Sequence, residues 1–188
     1  MGLVITVRAG DITTIAVDAI CNAANSRLAG GAGVDGAIHW AAGEDLREDL
    51  DEIVRRQGGC PTGQAVVTRA GRLPARYVFH TVGPIWTGGN EGEPDLLASC
   101  YRSCLALADQ HQVKRISFPS ISTGVYCYPV SRAAPVAVRA VLDYAAEHSA
   151  AVNSAAVNST GVEEVLFVLF NAHTLEAYQE AYAEAFNA

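Results

Sequence analysis

The sequence predicts an α/β fold in which helices cover a sheet of parallel strands. Segments with strand character alternate along the chain with segments whose apolar residues have helical spacing, and this alternation implies parallel pairing through crossover helices. Residues 165–170 form a continuous apolar run, which is typical of a central strand buried on both faces. Half of the 188 residues are hydrophobic, enough for a substantial core, so we expect one domain spanning residues 1–188.

The composition excludes several classes of protein. A formal net charge of −7 without a basic cluster argues against general binding to nucleic acids, which requires a basic patch or stripe. No apolar run reaches the roughly 18 residues of a membrane span, and the N-terminus does not have the pattern of a signal peptide. We therefore expect a cytoplasmic protein without a membrane partner, and we expect it to be a monomer.

The five cysteines form an odd set without a C-x-x-C pair, which favours free thiols in a reducing compartment. Cys100 and Cys104 share one face of a predicted helix, where core packing explains them better than a metal site does. We predict neither a bound metal nor a cofactor.

The N-terminal part of the chain contains a strand, a turn and an amphipathic helix. Residues 3–8 alternate enough to form a strand, which Ala9-Gly10-Asp11 then breaks. From its local sequence, Asp11 is best interpreted as forming an Asx-type turn. Apolar residues with helical spacing between positions 46 and 54, followed by two glycines, predict a helix with a glycine stop.

The middle of the chain contains two short predicted strands, residues 65–68 and 77–82, which a turn-rich segment separates. A helix over residues 96–111 and a strand over 115–118 follow. His80 lies in the second short strand, where a lone histidine is more often a buried, hydrogen-bonded core residue than a catalyst. We therefore interpret His80 as structural.

The C-terminal part begins with a helix that Ser131 is expected to cap, with Pro135 in its first turn, where the missing N–H is tolerated. Between residues 149 and 158 the pentapeptide Ser-Ala-Ala-Val-Asn occurs twice in succession. This small polar repeat has no amphipathic pattern and suggests an inserted surface loop. A last helix is predicted from Thr174.

Residues 22–36 form the first of two glycine-bearing loops and read Asn-Ala-Ala-Asn-Ser-Arg-Leu-Ala-Gly-Gly-Ala-Gly-Val-Asp-Gly. The loop follows an apolar run and leads into a predicted helix. This order builds an anion site, because glycines allow close approach of a ligand and the free N–H groups of a helix start point at negative charge. We expect a phosphate as the ligand.

Asp35 is the unexpected residue in this loop, because its carboxylate would repel a phosphate. One interpretation is that Asp35 only favours the helix N-terminus, where acidic residues interact well with the helix dipole. The other is that it acts as a base beside a bound phosphate. The loop sequence by itself leaves both interpretations open.

Residues 31–36 also match the dinucleotide-binding pattern G-x-G-x-x-G. In that motif the glycines follow the strand directly, and an acidic residue about twenty positions later ends a second strand and binds a ribose. Here residues 25–30 intervene, and the acidic candidates Asp51 and Glu52 lie in a predicted helix. A nicotinamide-dependent oxidoreductase is therefore a distant alternative.

The second glycine-bearing loop, residues 119–129, follows a predicted strand and also leads into a helix. Loops that leave the carboxyl ends of neighbouring parallel strands meet in one crevice, so two phosphate-binding loops that face each other suggest a diphosphate ligand. The sequence contains no G-x-S-x-G elbow, and a serine hydrolase is therefore poorly supported.

These motifs resemble those of the macrodomains, specifically the MacroD-like branch that hydrolyses ADP-ribose esters. The matching segments follow the family order and cover nearly the whole chain: Gly10-Asp-Ile-Thr13, Asn22-Ala-Ala-Asn25, Gly31-Ala-Gly-Val-Asp-Gly36 with Ile38-His39 and Ala41-Ala-Gly43, Cys60-Pro-Thr-Gly63, Val78-Phe-His-Thr-Val-Gly-Pro84, and Ser122-Thr-Gly-Val-Tyr126. The resemblance implies a three-layer α/β/α sandwich with a mixed, mostly parallel central sheet.

The resemblance also implies roles for single residues. Asp11 would accept a hydrogen bond from the adenine amino group, Ile12 would make a backbone contact to the base, and Phe170 would lie against the ring. Asn25 would bind the distal ribose, and Asp35 would position or activate water beside the scissile ester. The two loops would hold the diphosphate through these residues: Gly33, Val34, Ser122, Thr123, Gly124, Val125 and Tyr126.

The activity implied by this resemblance is removal of acyl groups, or of protein Asp or Glu ester groups, from the distal ribose. ADP-ribose, its esters and mono-ADP-ribosylated proteins would be the binding partners. The alternative is a module that only binds ADP-ribose, but binding-only macrodomains commonly lack the aspartate found here at position 35. The sequence departs from the family pattern at Cys127, where glycine is usual, at Asn171, where an acidic residue is frequent, and in the pentapeptide repeat.

Overall fold

The computed structural model describes residues 3–151 and 161–187. The strands are β1 (Val4–Ala9), β2 (Ala19–Ala24), β3 (Ala65–Arg69), β4 (Tyr77–Val82), β5 (Arg115–Phe118) and β6 (Glu164–Leu169). The helices are α1 (Gly33–Ala42), α2 (Glu44–Gln57), α3 (Glu93–Gln110), α4 (Val130–Ala151) and α5 (Ala172–Asn187). A single 3₁₀ turn, Ile12–Thr14, follows β1.

The strands form one six-stranded sheet in the order β1-β6-β5-β2-β4-β3. Neighbouring strands are parallel except for β3 and β4, which pair antiparallel. These two strands can pair in this way because only residues 70–76 join them, whereas a parallel partner requires a long crossover connection. The mixed, mostly parallel sheet expected from the sequence is confirmed.

Helices cover both faces of the sheet and produce two apolar cores. The larger core packs α3, α4 and α5 against one face, around fully buried rings such as those of Tyr101 and Phe167. The smaller core packs α1 and α2 against the other face, where Leu46 and Leu50 are buried. The three-layer sandwich is therefore confirmed.

The start of α4 differs from the prediction. The helix begins at Val130, and the backbone N–H of Arg132 donates to the carbonyl of Pro129 at 2.9 Å. Ser131 therefore lies inside the first turn and does not cap the helix, and Pro135 lies beyond that turn. The prediction was wrong because the spacing of the buried apolar residues does not mark the exposed residues of the first turn.

The C-terminal boundaries also differ in detail. The helix α4 continues to Ala151, so residues 149–151 of the pentapeptide repeat are helical rather than part of a loop. The rest of the repeat, residues 152–158, lies outside the described residues. Strand β6 ends at Leu169, so Phe170 follows the strand instead of ending it.

Cys100 and Cys104 lie on α3 and are fully buried in the larger core, as their spacing predicts. All five cysteines are free thiols, and Cys127 is the exposed one. No helix in the described part of the chain is long and apolar enough to cross a membrane.

Candidate functional site

A crevice of about 510 Å³ opens at the carboxyl ends of β1, β2, β5 and β6. Its two long walls are the glycine-bearing loops that follow β2 and β5. Ligands of parallel sheets bind at this edge, where the loops leave the strands. The structure brings every site residue predicted from the sequence to this crevice: Asp11, Ile12, Asn25, Gly33, Val34, Asp35, Ser122, Thr123, Gly124, Val125, Tyr126 and Phe170.

Asn25 closes the first loop by two hydrogen bonds of its side chain. Its Nδ2 donates to the carbonyl of Gly30 at 2.9 Å, and its Oδ1 accepts from the N–H of Ala29 at 3.3 Å. The backbone at Gly36 passes close to the backbone at Gly31. A Cβ on Gly36 would lie only 2.5 Å from the carbonyl oxygen of Gly31, so a glycine is required there. Asn25 therefore shapes the loop as well as lining the crevice.

The first turn of α1 is left open for an anion. Ala32 precedes the helix, and no side chain among residues 3–151 and 161–187 caps the turn that begins at Gly33. The N–H groups of a first helical turn have no partner within the helix, and they bind negative charge well when a ligand supplies it. This arrangement has the open helix start that the glycine pattern predicts for an anion site.

Asp35 lies in that same first turn and is buried, with 5 % of its surface exposed. Its Oδ1 accepts from Asn22 Nδ2 at 2.7 Å and lies 3.2 Å from His39 Nε2. Its Oδ2 lies close to the backbone of the first loop: a Cβ added to Gly31 would be 3.2 Å from this oxygen. One carboxylate oxygen is thus held by the protein, and the other is directed toward the loop that lines the crevice.

A row of buried polar side chains continues from Asp35 into the sheet, and the sequence did not reveal it. Asn22 on β2 and His80 on β4 are register partners, and Asn22 Nδ2 lies 3.0 Å from His80 Nδ1. On the other side of the ring, His80 Nε2 lies 3.0 Å from Thr68 Oγ1 on β3. The row therefore crosses three adjacent strands and ends at the candidate carboxylate.

Two signals in the sequence point to this row. Asn22 and His80 are polar residues in otherwise apolar strands, and a buried polar side chain needs a hydrogen-bonding partner. His39 also follows Asp35 by four residues, which places both on one face of α1. Strand pairing between residues 58 positions apart is what turns these separate signals into one network.

The second loop is held by backbone hydrogen bonds at both ends. The N–H of Tyr128 donates to the Ser122 carbonyl at 3.0 Å, and the N–H of Trp86 donates to the Tyr126 carbonyl at 2.9 Å. Burial and the charge of Asp35 together raise the pKa of the Tyr126 hydroxyl. Tyr126 is therefore within electrostatic reach of Asp35, and the two loops face each other as predicted.

The opposite end of the crevice is more exposed. Asp11 Oδ1 accepts from the N–H of Thr13 at 2.9 Å and from its hydroxyl at 2.7 Å, which is the Asx-type turn that the local sequence predicts. No hydrogen bond in the described part of the chain engages Asp11 Oδ2. Ile12 is buried beside it, whereas the ring of Phe170 is 87 % exposed at the mouth of the crevice.

Comparison with known proteins identifies the family. The Macro domain family model matches residues 21–137. The chain belongs to the macrodomain family. An O-acetyl-ADP-ribose deacetylase of Salmonella gallinarum is 49 % identical over 169 residues, which cover 90 % of this chain and 88 % of that protein.

Two solved macrodomain structures agree with this assignment. The Oceanobacillus iheyensis macrodomain with ADP is 40 % identical, with a TM-score of 0.85 over 95 % of this chain and 90 % of that one. The Trypanosoma brucei macrodomain in complex with ADP-ribose is 38 % identical, with a TM-score of 0.79 over 94 % of this chain and 68 % of that one.

The macrodomain fold explains how two departures from the family pattern are accommodated. Cys127 has φ 55°, a left-handed conformation that favours glycine, and its exposed position leaves room for the thiol. Asn171 uses its Oδ1 to accept from the N–H of Thr174 at 2.9 Å at the start of α5. An asparagine is well suited to cap a helix start in this way.

Proposed function

We propose that this macrodomain hydrolyses esters at the distal ribose of ADP-ribose. The observation that carries the proposal is the position of Asp35, a buried carboxylate in the first turn of an anion-binding helix, with Oδ1 held by Asn22 and His39. A loop that only bound a diphosphate would gain nothing from a fixed negative charge at this place. A fixed carboxylate beside the ligand is suited to orienting a water molecule.

The rest of the crevice fits the other parts of ADP-ribose. The adenine would lie at the exposed end, with its amino group donating to Asp11 and its ring against Phe170. The diphosphate would lie between the first turn of α1 and the loop from Ser122 to Tyr126. The distal ribose would then reach Asn25 and Asp35, which line the same wall of the crevice.

In the proposed reaction Asp35 orients a water molecule and accepts its proton as the oxygen adds to the ester carbonyl. The tetrahedral intermediate then collapses and expels the ribose oxygen, which takes up the proton that Asp35 accepted from the water. The products are ADP-ribose and a free carboxylic acid. The acid is acetate from O-acetyl-ADP-ribose, and it is an Asp or Glu side chain when ADP-ribose is attached to a protein. The relatives named O-acetyl-ADP-ribose deacetylase support this choice of substrate.

Incubation with O-acetyl-ADP-ribose and with a protein mono-ADP-ribosylated on glutamate tests the proposal. Release of ADP-ribose, measured by chromatography, is the expected result. Tight binding of ADP-ribose without turnover of either ester would instead identify a binding module. The distant oxidoreductase alternative is weakened by the structure, because Asp51 and Glu52 lie within α2 and not at the end of a strand.

The proposal also includes the setting in which the protein acts. We expect a cytoplasmic monomer that acts on mono-ADP-ribosylated proteins and does not bind nucleic acids generally. The free thiols and the net charge of −7 fit this expectation. Light scattering of the purified protein would reveal any dimer.

A further inference from the structure

We propose that His80 is a positioning residue for catalysis, which acts through Asn22 to fix the orientation of the Asp35 carboxylate. His80 is not one of the residues that line the crevice, so it would act through its neighbours. The proposal rests on the hydrolase function proposed above, and it concerns how the carboxylate of that site is held.

The first step of the argument concerns the charge of the His80 ring. The side chain is completely buried, and a buried imidazolium is unfavourable. Burial, with a smaller contribution from the nearby His39 ring, lowers the pKa of His80 to about 3. The ring is therefore neutral at physiological pH, with one nitrogen that donates and one that accepts.

The second step fixes which nitrogen carries the proton. The Thr68 hydroxyl oxygen lies 3.0 Å from both the carbonyl of Arg69 and His80 Nε2, so it can donate to the carbonyl while accepting from the ring. The Asp35 carboxylate can only accept, so Asn22 presents Nδ2 to it at 2.7 Å, and the same nitrogen lies 3.0 Å from His80 Nδ1. His80 Nδ1 is therefore an acceptor, and the proton lies on Nε2, where the Thr68 hydroxyl can accept it.

The third step concerns the orientation of the Asn22 side-chain amide between His80 and Asp35. Since His80 Nδ1 is an acceptor, it must face the amide nitrogen of Asn22 and not the amide oxygen. Asn22 Nδ2 then directs one hydrogen to His80 and the other to Asp35 Oδ1, at 3.0 and 2.7 Å. A flipped amide would place Asn22 Oδ1 against both a nitrogen lone pair and a carboxylate, which is repulsive. An acceptor at His80 Nδ1 therefore holds the Asn22 amide in the orientation that donates to Asp35.

A purely structural role is the competing explanation for this network. Buried polar groups need partners whether or not the site is catalytic, so loss of stability on mutation would not distinguish the two. The two explanations differ in which nitrogen of the His80 ring must accept a hydrogen bond and in whether rate and affinity change together. The positioning role requires an acceptor at Nδ1 and predicts a loss of rate without a loss of ligand affinity.

The tautomer is tested first, on the wild-type protein, by nitrogen NMR of the histidine side chains. We expect a protonated Nε2 and an unprotonated Nδ1 for His80, unchanged over the pH range in which exposed histidines titrate. Its resonances are assigned by their loss in His80→Asn. A proton on Nδ1, or a charged ring, would overturn the proposal. This measurement needs no enzymatic activity, so a wrong tautomer would overturn the positioning role independently of whether the wild-type protein hydrolyses either ester.

The second test separates the two sides of the ring. The side-chain oxygen in His80→Asn takes approximately the place of Nδ1 and can still accept from Asn22, whereas His80→Gln places its amide near Nε2 only. We expect kcat near the wild-type value for His80→Asn and a loss of about 10- to 100-fold for His80→Gln, the scale of a small misplacement in an active site. The affinity for ADP-ribose should be unchanged in both. Equal losses in the two variants, or parallel losses of affinity and rate, would indicate a structural role.

Thr68→Val tests the residue on the far side of His80 from Asp35 and conserves the shape of the side chain. It removes the hydroxyl that accepts from His80 Nε2 and should lower kcat while leaving the affinity for ADP-ribose intact. Thr81→Val is the matched control, since Thr81 is also buried in the sheet and its hydroxyl donates to the carbonyl of Gln64 at 2.8 Å. An equal effect of both variants on kcat would contradict the proposal.

Discussion

The two ends of the crevice are built in different ways. At one end Asp35 is buried, and it accepts from Asn22 on β2, which lies behind the crevice and is bonded in turn to His80 on β4. At the other end Asp11 is exposed, its hydrogen bonds within the described part of the chain stay inside its own turn, and Phe170 is largely open to solvent. The buried end has a fixed geometry before any ligand arrives, whereas the exposed end has surface that a ligand can cover. The contrast suggests that the buried end serves chemistry and the exposed end serves binding.

The largest effect is expected from a substitution at the buried end of the crevice. Asp35→Ala should lower turnover by about 10²–10⁴-fold, the usual contribution of general acid–base catalysis. The affinity for ADP-ribose should hold or rise, because removing a carboxylate from beside a diphosphate removes a repulsion. Steady-state kinetics on both esters and calorimetry with ADP-ribose measure the two effects separately.

Asp51→Ala is the matched control for this change, because Asp51 is an exposed aspartate on α2. It should leave turnover and affinity unchanged. Near-normal turnover of every ester by Asp35→Ala would leave Asp35 as a residue that only favours the helix start. Asn25→Ala should behave differently from Asp35→Ala and lose affinity and rate together, since Asn25 both lines the crevice and closes the loop.

A second change tests the exposed end. Asp11→Ala should weaken ADP-ribose binding by about 1.5–3 kcal/mol, the scale of a hydrogen bond to a charged group, and should leave kcat nearly unchanged. Asp11→Asn makes the test sharper, because it keeps Oδ1 for the turn and replaces Oδ2 by an amide that cannot accept from adenine. If Oδ2 reads the amino group, both variants bind weakly in calorimetry. Wild-type affinity in the asparagine variant would reduce Asp11 to a residue that forms the turn.

The two ends also differed in how far the sequence predicted them. The two glycine loops and the turn at Asp11 could be predicted because they are local features, whereas the assignment of Asn25, Ile12 and Phe170 to the site came from the resemblance to the macrodomains. The order of the parallel strands is not local, so the contact between Asn22 and His80 could not be derived from spacing. His80 was correctly expected to be buried and hydrogen-bonded, but its neighbour remained unknown. The end of β6 at Leu169, one residue before Phe170, was also missed, because an apolar run does not show at which residue a strand ends.

A third change tests the support of the loop between the two ends. The Glu93 carboxylate accepts from the N–H and hydroxyl of Thr87 and from the N–H of Gly89. Burial opposes its ionisation, but hydrogen bonds from its own N–H, Thr87 and Gly89 outweigh burial and lower its pKa to about 2. This turn adjoins Trp86, whose N–H donates to Tyr126 in the second loop.

Because the pKa of Glu93 is lower in the folded state, its contribution to stability is present above its ordinary value near 4.5 and is lost as the pH falls toward 2. Glu93→Gln should lower the melting temperature at neutral pH and flatten the stability profile over that acid range, while kcat stays near the wild-type value. Thermal denaturation at several pH values measures this, with the exposed Glu91→Gln as control. An unchanged profile in Glu93→Gln would show that the turn does not depend on the carboxylate.

The smallest expected effect concerns Cys127, which bounds the second loop. At φ 55° a residue with a Cβ is strained by about 1 kcal/mol or somewhat more, so Cys127→Gly relieves strain in the folded state. Glycine also raises the entropy of the unfolded chain, at a cost of about 0.4–1 kcal/mol, so the net change in unfolding free energy should be below about 1 kcal/mol. Cys127→Val should destabilise clearly, because β-branched residues tolerate this conformation poorly.

Denaturant unfolding and ADP-ribose calorimetry measure both variants. The glycine variant should bind like the wild-type protein if the cysteine already holds the loop in the binding conformation, and a large gain in its affinity would show that Cys127 distorts the diphosphate loop.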